Sequence, residues 1–527
     1  MGIVPDRNLI VSADFGTASV KVGLVGPQLA IEAVRTVPYP LNMADHGFAE
    51  QQPADWWKAL RQAVWSLRED VPDLAVRTAG VVLAAQMCGV VCSDGDGEPL
   101  RPCLIWLDKR SSDIIRELVG GFPALFGYNI PRFALWLILS NGAPSLNGMD
   151  PPGKMLWVKR NEPEIWARTR KLLDVKDWLV HRATGVFATT PDCANLTWMM
   201  DSRWRRAEWS RYLARFVGVD MRLLPDIIPG TSAVAGLSRQ AADELGLAAG
   251  LPVFAGCGDV CAAALGSGAI EDGSLHISIG TSSWIGGFFP TRRLSLSEAY
   301  ATIVSPVDNR PLLIATQESA GACFRWIHDA LSDVSPNLDD FLNGALKAGA
   351  VSPPLFLPWL AGERVPADDH RLRGAFLGLS LSHDRHSLIR AVLEGVALNT
   401  RWAFRTVIRQ SGVRHDLPVP LVGEGATNPS FCQMLADCLD RELTAGMRPQ
   451  LAGVRGAACL AAAGLGWAAS PWLAARLPDN QNKRTYKPDP IRAQYFRRRF
   501  DLYLRAYRRT APWFRHAFAA MQRGAAE

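Results

Sequence analysis

The chain lacks the features that would mark it for secretion, for a membrane or for nucleic acid. Its ten cysteines have no paired spacing, and the nearest approach, Cys257 to Cys261, lacks the flanking ligands a zinc site needs. A reducing compartment fits the thiols best. The longest apolar runs, near 133–139 and 459–463, fall well short of the ~20 residues that cross a bilayer. Met1 to Leu9 place Pro5, Asp6 and Arg7 before a short strand, unlike a signal or transit peptide, so a cytoplasmic location is expected. Low-complexity tracts and long blocks of one charge are also missing. The net charge of +6 is spread along the chain except for a knot at Arg497, Arg498 and Arg499. Phe496, Phe500, Leu502 and Leu504 flank that knot at helical spacing, which reads as a solvated helix face and not as a phosphate-binding surface. Neither nucleic acid nor a membrane is an expected partner.

What remains is an ordinary globular composition, 48% apolar and 20% charged, over 527 residues. That length exceeds what one core organises, and two large domains are expected. Strand and helix patterns alternate throughout, which indicates an α/β chain. Leu9 to Ala13 alternate, turn at Asp14-Phe15-Gly16-Thr17, and resume at Val20, Val22 and Leu24, predicting a hairpin. Leu275, Ile277 and Ile279 repeat the device, running through Gly280-Thr281-Ser282-Ser283 into Trp284 and Ile285. One such unit in each half suggests two related domains facing a shared cleft. Between them, Trp56, Leu60, Ala63, Val64 and Leu67 recur at helical spacing after Pro53. Residues 121–153, rich in Gly, Pro, Asn and Ser around an apolar stretch, read as an insertion or lid.

Each tip combines a glycine, a hydroxyl and adjacent N–H groups, and the first adds the carboxylate of Asp14; these are parts for holding phosphate and Mg²⁺. An ordinary turn uses the same residues. Two tips in one cleft, however, could grip a triphosphate from both sides. A third glycine loop, Gly423-Glu424-Gly425-Ala426, follows the strand 418–422 and leads to Asn428, a predicted N-cap with Pro429 at N1. Its close backbone approach also suits a nucleotide's base and ribose. Strand 251–255 runs through Gly256-Cys257-Gly258 to Asp259, at the strand-to-helix edge where α/β sheets carry their sites. Asp259 could cap that helix or serve as a base. Phosphoryl transfer to an alcohol needs one carboxylate for the proton and a separate one for the metal, and Asp259 and Asp14 can divide that work.

With these residues in place, the chain resembles the FGGY carbohydrate kinases over nearly its whole length, and among them most closely the xylulokinases. The resemblance is carried by Asp14 to Thr17, Glu50-Gln51-Gln52-Pro53 with Trp56-Trp57, Gln86-Met87, Trp106 to Arg110, and Gly258-Asp259. It continues through Ser278 to Ser282, Leu357 to Arg364, Gly374 to Leu379 and Ala391 to Gly395. The family's first signature is met in full by Met149 to Asn161. The second, Gly374 to Glu394, departs only at Ser387, where an acidic or amide residue is usual and a helix-capping Ser is expected to serve.

The resemblance implies two actin-like ATPase domains on ribonuclease H-like sheets, 1–265 on the sugar side and 266–527 on the nucleotide side, with the active site in the interdomain cleft. It implies ATP and Mg²⁺ as cofactors and a small sugar or polyol as substrate, D-xylulose first and another ketose, a tetritol, a pentitol or glycerol as the alternative. A homodimer is compatible with it. Position by position, Asp259 matches the catalytic base and Asp14 the carboxylate near Mg²⁺. Gly16, Thr17, Gly280 and Thr281 match phosphate-loop positions, Gly321, Gly425, Ala426 and Asn428 match positions around the nucleotide, and Met87 and Cys88 match the sugar pocket. Xylulokinases usually show Met-His-Gly where this chain has Met87-Cys88-Gly89, and Asp-Asn where it has Asp259-Val260. Both changes remove hydrogen-bonding capacity, so a wall poor in polar groups is expected there. The rival reading, a non-metabolic actin- or Hsp70-like ATPase, is opposed by the two signatures. A sugar-binding regulator without catalysis is opposed by the retention of Asp14, Thr17 and Asp259.

Overall fold

Alternation along the first strand decides where its carboxylate points. In β1 (Leu9–Phe15), Leu9, Val11, Ala13 and Phe15 pack into one buried cluster, whereas Ile10 turns to another. Ser12, on the same side as Ile10, donates its hydroxyl to the Val454 carbonyl at 2.7 Å. The period of two therefore directs Asp14 to that second side.

The structure is a computed structural model describing residues 7–44, 47–203, 206–295, 298–331, 337–347, 352–477 and 483–524. The leader residues Pro5 and Asp6 lie outside the described residues. β1 pairs antiparallel with β2 (Ser19–Val25), which pairs with β3 (Ile31–Pro38). β4 (Thr78–Ala85), β5 (Ala233–Gly236) and β6 (Pro252–Gly258) complete a six-stranded sheet of order β5-β6-β4-β1-β2-β3, in which β1, β4 and β6 run parallel.

The second sheet repeats the plan. β7 (Leu275–Ile279), β8 (Ser283–Phe288), β9 (Ala301–Val304), β10 (Pro311–Gln317), β11 (Val419–Val422), β12 (Leu443–Ala445) and β13 (Arg484–Tyr486) form seven strands of order β9-β10-β8-β7-β11-β12-β13. Here too a hairpin leads, and parallel strands follow on its first strand's other edge. Both predicted strand-turn-strand units are present, and the two-sheet α/β architecture is that of the actin-like fold.

Helix α1 (Pro53–Asp70) buries the predicted Trp56, Leu60, Ala63, Val64 and Leu67. α2 (Val175–Thr184) is held by a capping box between Asp174 and Asp177. α3 (Asp259–Ser267) and α4 (Ala452–Gly464) cross between the sheets almost in backbone contact. A Cβ on Gly266 would overlap the Ala452 carbonyl, and one on Gly456 the Ala262 carbonyl. The proposed domain division at 265/266 thus falls within α3. The segment 121–153 contains the helix Ile130–Ser140, whose Trp136 is fully buried. The helix Arg385–Val407 is capped by Asp384, which accepts from the Ser387 N–H at 2.9 Å. Ser387 is therefore not the cap: it lies inside the first turn and donates its hydroxyl to Asp384 at 2.8 Å.

Candidate active site

A cleft of about 1230 Å³ opens at the carboxyl ends of the parallel strands β1, β4 and β6. Asp14, Gly16, Thr17, Met87, Cys88 and Asp259 line it, and Gly280 and Thr281 line it from the second half of the chain. The expected residues from both halves therefore meet in one cavity. Gly321, Gly425, Ala426 and Asn428 do not line it. Gly321 donates its N–H to the Gly280 carbonyl at 2.9 Å, so it backs the second tip. Asn428 is the predicted N-cap, accepting from the Phe431 N–H at 3.0 Å, and its amide donates to Asp339.

Asp259 is the first residue of α3 and not its cap, which is Gly258; its Oδ1 accepts only the Val260 N–H, at 2.9 Å. Burial and then the neighbouring charge of Asp14 push its pKa up to about 8. Asp14 is itself raised by burial, with Lys21 opposing.

The sequence motifs behind the cleft fix its wall. Gln51 donates to the Thr17 carbonyl at 2.7 Å and accepts from Gln86 at 2.7 Å and from the Trp56 indole at 3.2 Å. Trp106 donates to the Thr17 hydroxyl at 2.9 Å. Arg110 pairs with buried Asp108 at 2.7 Å and with Glu50 at 2.9 Å, bracing the segment that carries Trp106. Lys154, fully buried, donates to the carbonyls of Cys88 and Ile105, each at 2.7 Å, and so ties the two segments that carry them. Asp174 accepts the N–H groups of Cys88 at 3.1 Å and Gly89 at 2.8 Å. Burial keeps the Cys88 thiol neutral.

The wall at Cys88 and Val260 is not as bare as expected. Asp150, Trp198 and Arg364 line the same cleft, and Asp150 Oδ1 is 4.0 Å from the Cys88 sulfur. None was singled out from the sequence as a site residue. Asp150 and Arg364 lay inside quoted motifs, whereas Trp198 carried no local signal. The 121–153 segment contributes Tyr128 and Leu146 to the same cleft.

The sequence pattern of the FGGY family of carbohydrate kinases, N-terminal domain, matches residues 9–266, and that of its C-terminal domain matches 275–465. The chain belongs to the FGGY family of carbohydrate kinases. Xylulose kinase of Escherichia coli (strain K12) is 29% identical to this kinase over 511 residues, covering 96% of this chain and 99% of that protein. Erythritol kinase of Brucella abortus (strain 2308) is 28% identical over 533 residues, covering 96% and 97%. The crystal structure of a xyloylose kinase from Brucella ovis superposes with a TM-score of 0.81 at 26% identity, covering 96% of this chain and all of that one. This kinase is thus an enzyme of carbohydrate phosphorylation with its two-sheet cleft intact. Among the described residues, no helix is long and apolar enough to cross a membrane.

Proposed function

We propose that this kinase transfers the terminal phosphoryl group of ATP to a hydroxyl of D-xylulose, giving D-xylulose 5-phosphate and ADP. The observation that carries the reading is Asp259, half-buried beside Asp14 at the strand ends, between two glycine-hydroxyl tips from opposite halves. Asp259 takes the hydroxyl proton as the sugar oxygen forms its bond to phosphorus and the bond to the departing ADP oxygen breaks. Gly16, Thr17, Gly280 and Thr281 supply N–H and hydroxyl groups to the phosphates. Gly321, Gly425, Ala426 and Asn428 shape the base and ribose end from behind the wall. Met87 and Cys88 border the sugar.

The hard oxygens of Asp14 and Thr17, with Lys21 the one cation that acts on Asp14, fit Mg²⁺, with Asp14 as its ligand. When bound, that ion neutralises phosphate charge. The E. coli relative, named for xylulose and matched almost end to end, supports D-xylulose. A tetritol is the second reading: a similarly matched relative is named for erythritol, and Tyr128, Leu146 and Trp198 crowd the sugar end. The ten free thiols support a cytoplasmic location, and a homodimer is the proposed assembly.

The test is ADP release with Mg²⁺ against D-xylulose, D-ribulose, erythritol, xylitol and glycerol. The highest kcat/KM is expected for D-xylulose. ATP hydrolysis indifferent to every sugar would replace this reading with the non-metabolic ATPase.

A further inference from the structure

The sugar end of the cleft holds two polar groups with unused capacity. Asp150 directly precedes the helix Pro151–Asn161 and lines the cleft. Its Oδ2 accepts the Ser145 N–H at 2.6 Å, but the partner of Oδ1 is the Cys88 thiol at 4.0 Å, a weak donor at long range. The ammonium of Lys154 gives its two hydrogen bonds to backbone carbonyls and acts on Asp150 through its charge. Trp198 is 6% exposed and lines the same cleft, and its indole N–H is buried without an acceptor. That N–H lies beside the Asp150 carboxyl and opposes the rise in pKa that burial causes. A buried indole donor that completes no full hydrogen bond and a half-buried carboxyl beside it, whose Oδ1 has only a long thiol contact, suit a hydroxyl, which gives one hydrogen bond and takes another.

The backbone has been bent to place these groups. Trp198 has φ 56° and Cys88 φ 65°, left-handed conformations that a bulky side chain rarely adopts. Each is held there. Trp136 donates its indole N–H to the Trp198 carbonyl at 2.9 Å, and Asp174 takes the Cys88 N–H. Gly142 meets the Trp198 ring so closely that a Cβ there would collide with it. Carboxyl groups cluster at this end. Asp150, Asp259 and Asp368 line it, while Arg364 is already paired with Glu318 at 2.8 Å.

We propose that Asp150 and Trp198 are the specificity-determining pair of the sugar pocket, together reading one substrate hydroxyl in place of the absent imidazole and amide. A hydroxyl donates to Asp150 Oδ1 and accepts from the Trp198 indole. In its ionised form the Asp150 carboxylate also repels a sugar acid, so the substrate class is neutral ketoses and polyols, with aldonates turned away. This rests on the sugar-kinase reading above and deepens it.

The test compares D-xylulose, erythritol and D-gluconate in ATP-coupled phosphorylation by wild type, Asp150→Asn and Trp198→Phe. Asp150→Asn keeps an acceptor for Ser145 but removes the charge, so the gluconate-to-xylulose ratio of kcat/KM should rise at least ~10-fold. Trp198→Phe keeps the ring but removes the donor. It should raise KM for the neutral substrate by about 10-fold or more, with kcat and the KM for ATP within about 3-fold. Melting temperatures close to wild type establish that both variants fold. An active wild type whose ratio and KM are unmoved by these changes overturns the pair while leaving the kinase reading intact. A wild type inert toward every sugar overturns the reading itself, and the pair with it.

Discussion

The carboxylate of Asp14 occupies the space that a side chain on Gly453 would need. Gly453 lies in the first turn of α4, whose N-terminal dipole favours negative charge, so the strand's carboxylate is seated against a helix end by the absence of one carbon. Gly453→Ala must displace Asp14. A displacement of about 1 Å can lower turnover by about 100-fold, so the loss in kcat should far exceed any loss in melting temperature. An alanine variant with normal kcat and normal Mg²⁺ dependence would detach Asp14 from the chemistry.

Asp14 and Asp259 should fail differently. Asp14→Ala should abolish Mg²⁺-dependent turnover in a folded protein. Asp259→Asn keeps the shape but cannot take a proton, and should lower kcat by roughly 10² to 10⁴ with ATP affinity almost unchanged. Equal losses in ATP binding and in kcat for Asp259→Asn would point to a structural role.

The pKa of Asp259 makes a stability prediction as well as a kinetic one. Its folded value of about 8 lies above the ordinary 3.8, so the folded state holds the proton more tightly. Stability contributed by this group is present below pH 4 and is lost as pH rises toward 8. Asp259→Asn should therefore melt higher than wild type at pH 8, by a margin that shrinks toward pH 4. Measured across that range, a constant margin would refute the buried-charge account. In the wild type, kcat/KM for the sugar should fall on the acid side, with its limb at or below about pH 8, since a cation near Asp14 lowers the value.

Lys154→Met removes the two bonds that tie the Cys88 and Ile105 carbonyls together. The flanking loops should loosen, raising KM for the sugar more than it lowers kcat. Steady-state kinetics would show this. A change confined to the KM for ATP would locate the lysine's role elsewhere.

Local pattern made the two hairpin tips legible, because strand alternation and turn chemistry are written in adjacent residues. It also placed α1, the start of α3 and the Asn428 cap. The capping role expected of Ser387 was misplaced by three residues, since Asp384 competes for the same N–H groups and wins. The wall at Cys88 was expected to be bare because its filling comes from positions 62 and 110 residues further along the chain, with no sequence period to announce them.

By itself the sequence determined the α/β plan, the paired glycine-hydroxyl tips and the position of the carboxylates Asp14 and Asp259, all properties of short segments. The tertiary structure alone decided which groups face one another across the cleft. Gly453 against Asp14, Trp198 beside Asp150 and Lys154 between two loops are relations between distant segments, set by how α3 and α4 cross and how the 121–153 segment lines the cleft. Packing chooses such contacts, and no run of neighbouring residues encodes them.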